Sequence, residues 1–329
     1  MYKISVIIPV YKVELFIERC AKSLFEQTLD SIEYIFVDDC SPDNSIPILK
    51  NILTQYPQRI KDTKIISHNT NRGLAAARKT GLSLATGEYI IHCDSDDWVE
   101  VNAYEILYKA AIDNNSDIII CDIFHATGKG KKCICTLPPV NNIELINAFL
   151  NGNVHASLCN KLVKREIYVA NNIEPIENIN YLEDMSIMYK LVYYSNKITY
   201  INKPLYNYFI ANYSSYTHAP LSIESQRGML ILFSQMKTFL HETGLYLNFK
   251  KGIQNFSIAI KGNILLNANS SVDTSVLNNE FKILNIINHP QIGFFTKLAI
   301  FFDLIKFKFG IKVIRFMKKL VSIQNWRID

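Results

Sequence analysis

Short apolar runs alternate with helix-like patterns along the first 122 residues. The apolar runs lie at 4–8, 34–37, 64–67, 88–93 and 117–122. Helical periodicity fills the intervals at 13–28, 44–56, 72–86 and 100–114. Continuous apolar runs between helices are typical of parallel strands that are covered on both faces. The pattern therefore predicts an α/β fold with a mostly parallel, Rossmann-like sheet flanked by helices.

Polar residues follow four of these runs, at the point where each predicted strand ends. In open α/β sheets, ligands bind in the crevice beyond the carboxyl ends of the strands. We therefore expect a ligand site at this edge of the sheet. The residues that the pattern brings there are Tyr11, Asp38, Asp39, Asn71, Arg72, Asp94 and Asp96.

Three carboxylates, Asp94, Asp96 and Asp97, crowd into four residues directly after the fourth run. Like charges at this spacing repel one another and raise each other's pKa. A cation among the oxygens relieves that repulsion, and hard oxygen ligands favour Mg²⁺ or Mn²⁺ bound together with substrate phosphates. The alternative is a solvated acidic turn in which Asp97 caps the next helix. The cluster by itself does not decide between the two.

The segments after the second and third runs point to a nucleotide. Asp38 and Asp39 stand side by side at a strand end, where a carboxylate can accept the imide N–H of uracil. Arg72 and Gly73 precede a helix start, and helix N-terminal amides together with an arginine favour a pyrophosphate. The alternative is close packing of the helix on the sheet, and the small residues of 73–81 suit both roles.

Two further segments have simpler explanations of their own. Glu183 and Asp184 begin a helical stretch at 182–194, where acidic residues complement the helix dipole and need no other role. Lys161 precedes a possible helix at 164–170 and is either a surface residue or a partner for an anion. Neither segment identifies a site without further information.

Composition narrows the class of protein. The chain has 329 residues, 49% of them hydrophobic, and a formal net charge of +5, which is too mild to indicate nucleic-acid binding. The seven cysteines show no paired C-x-x-C spacing, so we expect free thiols in a reducing cytoplasm. The N-terminus lacks the layout of a signal peptide, and no uncharged apolar run reaches the roughly 18 residues typical of a spanning helix.

A helical region is expected at 221–329, and its segment 293–321 is basic and rich in phenylalanine. A helix of this kind suits the surface of an anionic membrane. The alternative is an ordinary amphipathic helix docked on the protein's own core. Helical spacing places Lys308, Lys312, Arg315 and Lys319 on one face, opposite Phe309, Val313, Phe316 and Leu320.

Six motifs, in this order, resemble those of the family 2 inverting glycosyltransferases, which have the GT-A fold. The resemblance extends through the motif at Asp184 and implies a catalytic domain at 1–220. Within that domain it implies a nucleotide-binding half at 1–122 and an acceptor half at 123–220. The motifs are Val6-Ile7-Ile8-Pro9-Val10-Tyr11, Val37-Asp38-Asp39-Cys40-Ser41-Pro42-Asp43, Asn71-Arg72-Gly73-Leu74 to Arg78, Gly87-Glu88-Tyr89, Asp94-Ser95-Asp96-Asp97 and Glu183-Asp184.

The resemblance also implies roles for individual residues. Tyr11 and Asp39 would hold the nucleobase, with Asp38 behind them, and Arg72 would lie near the base or the phosphates. Asp94 would contact the ribose, and Asp96, with Asp94 beside it, would bind the metal ion that bridges the diphosphate. Asp184 would be the general base, with Glu183 the next candidate. The full donor-binding set implied is Pro9, Tyr11, Asp38, Asp39, Asn71, Arg72, Asp94, Ser95 and Lys161.

The activity implied is a metal-dependent, inverting transfer of one sugar from a nucleotide-diphosphate sugar, UDP-sugars first among them, to a hydroxyl of a glycan acceptor. The chain lacks the Gln-x-x-Arg-Trp motif that accompanies processive polymerisation in some members. A lipid-linked acceptor in capsule, exopolysaccharide or O-antigen assembly is expected. The enzyme would then lie peripherally on the cytoplasmic face of the cell membrane.

Two other functions stay open at this point. A sugar-phosphate nucleotidyltransferase also uses an α/β sheet with acidic metal ligands, but it predicts a glycine-rich N-terminal loop with basic residues, which 9–12 does not provide. A binding module for sugar nucleotides or glycans that has lost catalysis predicts the loss of acidic residues, and every acidic motif is present.

Overall fold

The structure is a computed structural model and describes residues 1–212, 219–270 and 272–325. The chain forms two compact units. We call them the sheet unit, Met1–Ile146 with Val154–Ser215, and the helical unit, Asn147–Asn153 with Tyr216–Asp329. The sequence prediction divides the chain near residue 220 and does not anticipate the short stretch Asn147–Asn153 in the helical unit.

One mixed sheet is the centre of the sheet unit. Its described strands are β1 (Ile4–Val10), β2 (Ile32–Asp38), β3 (Thr63–Ser67), β4 (Tyr89–His92), β5 (Trp98–Val99), β6 (Ile118–Thr127), β7 (Gly130–Ile134), β8 (Lys161–Lys164) and β9 (Ile198–Phe209). They hydrogen-bond in the order β3-β2-β1-β4-β8-β6-β9-β5, and β7 pairs with β6.

The strands β1 to β4 form the predicted parallel part of the sheet. β1 pairs in parallel with β2 and β4, and β2 pairs in parallel with β3. Every residue of β1 and β2 is buried, as expected of central strands covered on both faces. The register sets Val10 beside Asp38 and Ile7 beside His92, so the carboxyl ends of three strands reach the same edge. The prediction of an α/β fold with a Rossmann-like sheet is confirmed.

The other strands depart from a simple parallel arrangement. β8 runs antiparallel between β4 and β6, and β5 runs antiparallel to β9. β6 and β7 form a hairpin, while β6 and β9 are parallel. The sequence prediction misses β8 because its buried apolar part is only Leu162 and Val163, too short for a periodic signal. The fifth apolar run therefore does not lie next to the fourth.

Helices cover this sheet. Those that begin between Met1 and Ser215 are α1 (Ile17–Phe25), α2 (Ser45–Thr54), α3 (Leu74–Leu84), α4 (Ala103–Asn114), α5 (Asn142–Leu150), α6 (Arg165–Ala170) and α7 (Glu183–Tyr194), with a 3₁₀ turn at Pro57–Asp62. α3 lies close on the sheet, since a Cβ atom on Gly81 would fall 2.4 Å from Cγ2 of Ile7. This contact accounts for the small residues of α3.

The helical unit is built around a long helix with a buried lysine. Its described helices are α8 (Ile223–Glu242), α9 (Tyr246–Asn267), α10 (Ser275–Asn278), α11 (Ile283–Ile287), α12 (Phe294–Leu304) and α13 (Lys308–Asn325). Lys261 of α9 is fully buried, donates to Oγ1 of Thr274 and Oδ1 of Asn278, and pairs with Asp303. Within the described ranges, no helix has the length and apolar character needed to cross a membrane.

The helix α13 combines the two arrangements that the sequence left open. Ile311 and Ile314 are buried, and Arg315 donates to the carbonyl oxygens of Leu265 and Asn269, so the helix docks within its own unit. Arg315 is thus not part of a free basic face. Other predicted members of both faces are exposed: Lys308, Lys312, Phe309, Val313 and Phe316. The side chains of Lys319 and Leu320 lie outside the described residues.

Candidate active site

Asp39 is fixed just beyond β2 by the loop that opens α3. Its carboxylate accepts the amide N–H groups of Arg72 at 2.8 Å and Gly73 at 2.7 Å, and it lies 2.7 Å from Nδ1 of His68. Gly73 has a φ of +90°, a conformation that glycine adopts without a steric penalty. A carboxylate can accept about four hydrogen bonds, so Asp39 keeps capacity for one more donor.

The neighbours of Asp39 divide into buried and accessible groups. Asp38 is buried, and its Oδ1 accepts the N–H of Ser41 at 2.8 Å, so it shapes the turn after β2. Pro9 lies within β1, beside Val37 of β2. Tyr11 is 41% exposed, and its ring can stack on a planar group at this edge. The structure therefore brings these predicted residues together, with Tyr11 open to a ligand.

Asn71 and Arg72 lie on the loop between β3 and α3. The side-chain amide of Asn71 donates to the carbonyl oxygen of Asp39 at 3.3 Å. Nη2 of Arg72 lies 2.9 Å from a carboxylate oxygen of Glu177, and both side chains are more than a third exposed. An exposed pair of this kind contributes little to stability, so Arg72 can exchange Glu177 for an anionic ligand at small cost.

The acidic cluster after β4 contains the two predicted metal ligands, Asp94 and Asp96, and both are half-buried. Oδ1 of Asp94 lies 2.9 Å from Nη2 of Arg78, and the thiol of Cys159 donates to Oδ2 at 3.4 Å. Oδ2 of Asp96 accepts the side-chain amide of Asn212 at 2.7 Å. Burial, and next the charge of Asp94, raise the pKa of Asp96. Ser95 between them is buried.

Asp97 has a structural role that differs from the helix cap considered for it. It is fully buried and accepts the hydroxyl of Tyr206 at 2.5 Å and the N–H of Phe209 at 2.7 Å. Burial, and next the charge of Asp96, raise its pKa well above the usual range. The residues that it holds belong to β9, far along the chain, which is why a local interpretation of the cluster did not find them.

Glu183 and Asp184 form the first turn of α7, directly after Leu182, which has a left-handed φ of 65°. Oδ2 of Asp184 accepts the N–H of Leu158 at 3.3 Å. Burial raises the pKa of Asp184, with Arg78 opposing the shift. Burial and the charge of Asp184 raise the pKa of Glu183 well above its usual range. A carboxylate with a raised pKa is a better proton acceptor near neutral pH.

Arg78 joins the two acidic groups; the sequence analysis places it at the end of a motif but assigns it no role in the site. Its side chain is only 1% exposed, and Nη2 lies 2.9 Å from Asp94, 3.4 Å from Glu183 and 3.5 Å from Asp184. Nε and Nη1 have no hydrogen-bond partner in the described part of the chain. The available signal was an arginine directly after Ala75-Ala76-Ala77, on a helix whose small residues predict close packing on the sheet.

Comparison with known proteins matches the part of the chain that contains Asp39, Arg78, Asp94 and Asp96. The sequence profile described as glycosyl transferase family 2 matches residues 5–170, half of the chain. The chain belongs to this family. The match includes β1 to β4 and the acidic cluster after β4, so the family predicted from the motifs is confirmed.

Relatives of this glycosyltransferase extend the match beyond the profile. It is 30% identical to the putative glycosyltransferase EpsH of Bacillus subtilis, over 80% of this chain and 76% of that protein. It is 31% identical to a cholesterol galactosyltransferase of Borreliella burgdorferi, over 74% of this chain and 69% of that one. The structure of residues 1–349 of TarS from S. aureus in complex with UDP-GlcNAc superposes with a TM-score of 0.66 at 17% identity, covering 97% and 92% of the two chains. That likeness shows the fold, and the GT-A expectation is confirmed.

Lys161 of the glycosyltransferase lies in a setting that differs from the predicted contact with the donor. It is buried, and Nζ donates to the carbonyl oxygens of His155 at 3.0 Å and Ser157 at 2.8 Å and to Oδ1 of Asn160 at 2.9 Å. Burial lowers its pKa to about 8. These bonds make Lys161 the support of the loop 155–160, whose Leu158 amide reaches Asp184.

A divalent ion would find two candidate ligands in this glycosyltransferase. Across the described ranges, no group of three or more His, Cys, Asp or Glu side chains is arranged to hold a metal ion. Asp94 and Asp96 fit the other common arrangement, in which one or two carboxylates share Mg²⁺ or Mn²⁺ with substrate phosphates. The raised pKa of Asp96 reflects burial and repulsion from Asp94, a repulsion that a cation would relieve.

Proposed function

We propose that this enzyme is an inverting hexosyltransferase that moves one sugar from a UDP-sugar to an acceptor hydroxyl. The observation that carries the proposal is the position of Arg78, whose Nη2 lies within 3.5 Å of the donor-side Asp94 and of both candidate bases, Glu183 and Asp184. One guanidinium group thus contacts both the carboxylate proposed to bind the metal ion and the carboxylates proposed as the general base, and such a transfer needs both functions. The UDP-GlcNAc bound to the structural neighbour TarS supports a UDP-sugar as donor.

The donor is held by groups that follow the ends of four strands, β1 to β4. Asp39 offers its remaining acceptor capacity to the imide N–H of the base, and Tyr11 offers its ring. Arg72 can turn from its exposed partner Glu177 to the diphosphate, whereas the first amides of α3 are already bonded to Asp39 and Asn180. A Mg²⁺ or Mn²⁺ ion held by Asp94 and Asp96 would offset the negative charge that develops on the leaving diphosphate. β1 separates the ends of β2 and β4, so the base site and the metal site lie about 10 Å apart, two strand spacings.

The transfer step rests on Asp184. Its raised pKa suits it to take the proton of the acceptor hydroxyl while that oxygen attacks the anomeric carbon from the side opposite the diphosphate. The attack forms the new glycosidic bond, breaks the bond to the diphosphate and inverts the anomeric configuration. The Leu158 amide and Arg78 hold the carboxylate in position for this step.

The experiment compares donor binding with turnover. We expect Mn²⁺ together with one member of a panel of UDP-glucose, UDP-galactose and UDP-N-acetylglucosamine to raise the melting temperature by mass action. Asp184→Asn should keep that shift and lose UDP release, whereas Asp96→Asn should lose the Mn²⁺-dependent part of the shift. Glu174→Gln, an exposed acidic residue paired with Lys79, is the control. Full turnover in Asp184→Asn would reassign the base to Glu183.

The acceptor side of the proposal is a lipid-linked glycan at the cytoplasmic face of a membrane, in the assembly of a surface polysaccharide. The helical unit supports it with large exposed apolar side chains beside lysines. Between 294 and 317 the one acidic residue is Asp303, which pairs with the buried Lys261. The named acceptor of the Borreliella relative, cholesterol, is itself a membrane lipid. The large exposed apolar residues of this stretch are Phe294, Phe301, Ile305, Phe307, Phe309, Val313, Phe316 and Met317.

A vesicle experiment tests the membrane proposal. The protein should sediment with vesicles that contain phosphatidylglycerol and much less with pure phosphatidylcholine, because lysines attract anionic lipids. Phe309→Ser with Phe316→Ser should abolish sedimentation. Leu247→Ser is the matched control, since Leu247 is 78% exposed on α9 of the same unit. Equal sedimentation of the double variant and the control would contradict the proposal.

A further inference from the structure

Among the contacts between the α6–α7 segment and the N-terminus of α3 is that of the Asn180 side chain. Oδ1 of Asn180 accepts the N–H of Ala75, in the first turn of α3, at 3.1 Å. Helix N-termini leave such amides unsatisfied unless a side chain caps them. The side chain also covers Gly73, because a Cβ atom there would fall 2.4 Å from Nδ2 of Asn180. Asn180 therefore caps α3 and also packs on Gly73, the residue directly before this helix.

The part of α3 that Asn180 touches is the same part that fixes Asp39. The amides of Arg72 and Gly73 donate to the two oxygens of Asp39 at 2.8 Å and 2.7 Å. Gly73 therefore contacts both Asp39, the carboxylate proposed to bind the nucleobase, and the side chain of Asn180. Displacing Asn180 would leave the amide of Ala75 without its cap.

On its other side, Asn180 is joined to the candidate base by a short stretch of backbone. Three residues separate Asn180 from Asp184, and among them Leu182 holds a left-handed conformation that non-glycine residues rarely adopt. Ile179, the residue before Asn180, is fully buried. The stretch from 179 to 184 is therefore constrained at both ends, and a shift of Asn180 is transmitted to the first turn of α7.

The other links between this segment and α3 are weaker. Lys79 pairs with Glu174 at 2.7 Å, and Arg72 pairs with Glu177 at 2.9 Å, but all four side chains are more than a third exposed. Exposed pairs contribute little to stability and are screened by salt. The contact of Asn180 with Gly73 and Ala75 therefore ties this segment to α3 more firmly than these exposed ion pairs do.

We propose that Asn180 is a positioning residue for sugar transfer. It ties the turn that delivers Asp184 to the loop that holds Asp39, and so sets the base at a fixed distance from the bound nucleotide. This inference rests on the proposed function, because it assigns Asp184 the proton and Asp39 the nucleobase. Asn180 touches neither substrate and acts through the backbone of both segments.

The experiment compares Asn180→Ala and Asn180→Asp with the wild-type enzyme and Glu174→Gln. A base displaced by about 1 Å costs on the order of 100-fold in rate. We therefore expect Asn180→Ala to lower kcat for UDP release about 10- to 100-fold while KM for the UDP-sugar changes less than about threefold. Asn180→Asp keeps the acceptor oxygen for the Ala75 amide and should restore kcat to within about threefold of wild type.

A second measurement does not depend on turnover. Hydrogen exchange of the amides in 158–160 and 183–187 should accelerate in Asn180→Ala and stay at the wild-type rate in Asn180→Asp and Glu174→Gln. Unchanged exchange, unchanged kcat, a loss confined to KM, or an Asn180→Asp variant as impaired as Asn180→Ala would each overturn the inference. If the wild-type enzyme turns over no donor while the exchange differs as expected, the proposed function fails and the coupling of the two segments stands.

Discussion

Replacing Arg78 with methionine is the sharpest test of the electrostatic arrangement. The guanidinium group is 1% exposed and lies within 3.5 Å of Asp94, Glu183 and Asp184. Methionine fills a similar volume without the charge, so Arg78→Met leaves three crowded carboxylates in a partly desolvated site. Removing one partner of a buried ion pair costs about 3–5 kcal/mol of unfolding free energy. We expect a loss of that size at pH 8.

The loss should depend on pH, and its sign follows from linkage. Without Arg78 the folded-state pKa values of Glu183 and Asp184 rise further above their unfolded values near 4. A raised carboxyl pKa means that the folded state binds more protons, so stability falls as pH rises through that range. The deficit of Arg78→Met relative to wild type should therefore be smaller at pH 5.5 than at pH 8, by about 1.4 kcal/mol for each unit of pKa shift that is relieved.

Urea unfolding at the two pH values measures this deficit, and two further variants give it controls. Lys79→Met changes the residue that follows Arg78 on α3 and breaks an exposed ion pair with Glu174. It should lower the free energy of unfolding by no more than about 0.5 kcal/mol. Glu183→Gln in the Arg78→Met background should recover part of the loss, with a coupling energy of about 1–3 kcal/mol. Two results would refute the view that Arg78 is shared by these carboxylates. One is a stability loss in Arg78→Met that does not depend on pH. The other is that the effects of Arg78→Met and Glu183→Gln on the free energy of unfolding add within about 0.5 kcal/mol.

Two other predictions concern buried acidic groups outside the reaction. Glu33→Gln should lower stability by about 2–4 kcal/mol at pH 7, because Oε1 accepts Ser5 and Thr86 hydroxyls and Oε2 pairs with Lys64. Burial opposes the shift, but these bonds lower the pKa of Glu33, so the deficit should shrink as an acid titration falls below about pH 4. Tyr206→Phe removes the hydrogen bond from the Tyr206 hydroxyl to buried Asp97. We expect it to lower the free energy of unfolding by about 1–3 kcal/mol, measured by calorimetry. An unchanged melting temperature would contradict the structural role of Asp97.

Much of the fold followed from local patterns. The strands β1, β2, β3, β4 and β6 match the five apolar runs, and the helices α1 to α4 fall inside the four periodic segments. Such elements are predictable because a buried parallel strand requires a continuous apolar run and a covering helix requires an apolar stripe. β8 was missed because Leu162 and Val163 provide only two apolar positions, and their burial depends on neighbours distant in sequence.

The candidate site was predicted in part for the same reason. Asp39, Asp94 and Asp96 could be expected at one edge because parallel strands end together. Lys161 shows the limit of this reasoning, because an Asn-Lys-Leu motif does not reveal that Nζ turns inward to three oxygens of its own loop. The basic face predicted for α13 is a second example of this limit, because Arg315 donates to a carbonyl oxygen of α9 while Phe309 and Phe316 stay exposed.

The amino-acid sequence by itself determined the family, the parallel part of the sheet and the edge at which its acidic residues gather, because these depend on local periodicity and on the geometry common to all parallel strands. Tertiary structure alone decided which partner each acidic residue has. Arg78 meets Glu183, and Ala75 meets Asn180, across 105 positions of the chain in both cases. Local patterns carry no information about contacts at that separation, since those contacts form only when the whole sheet unit folds.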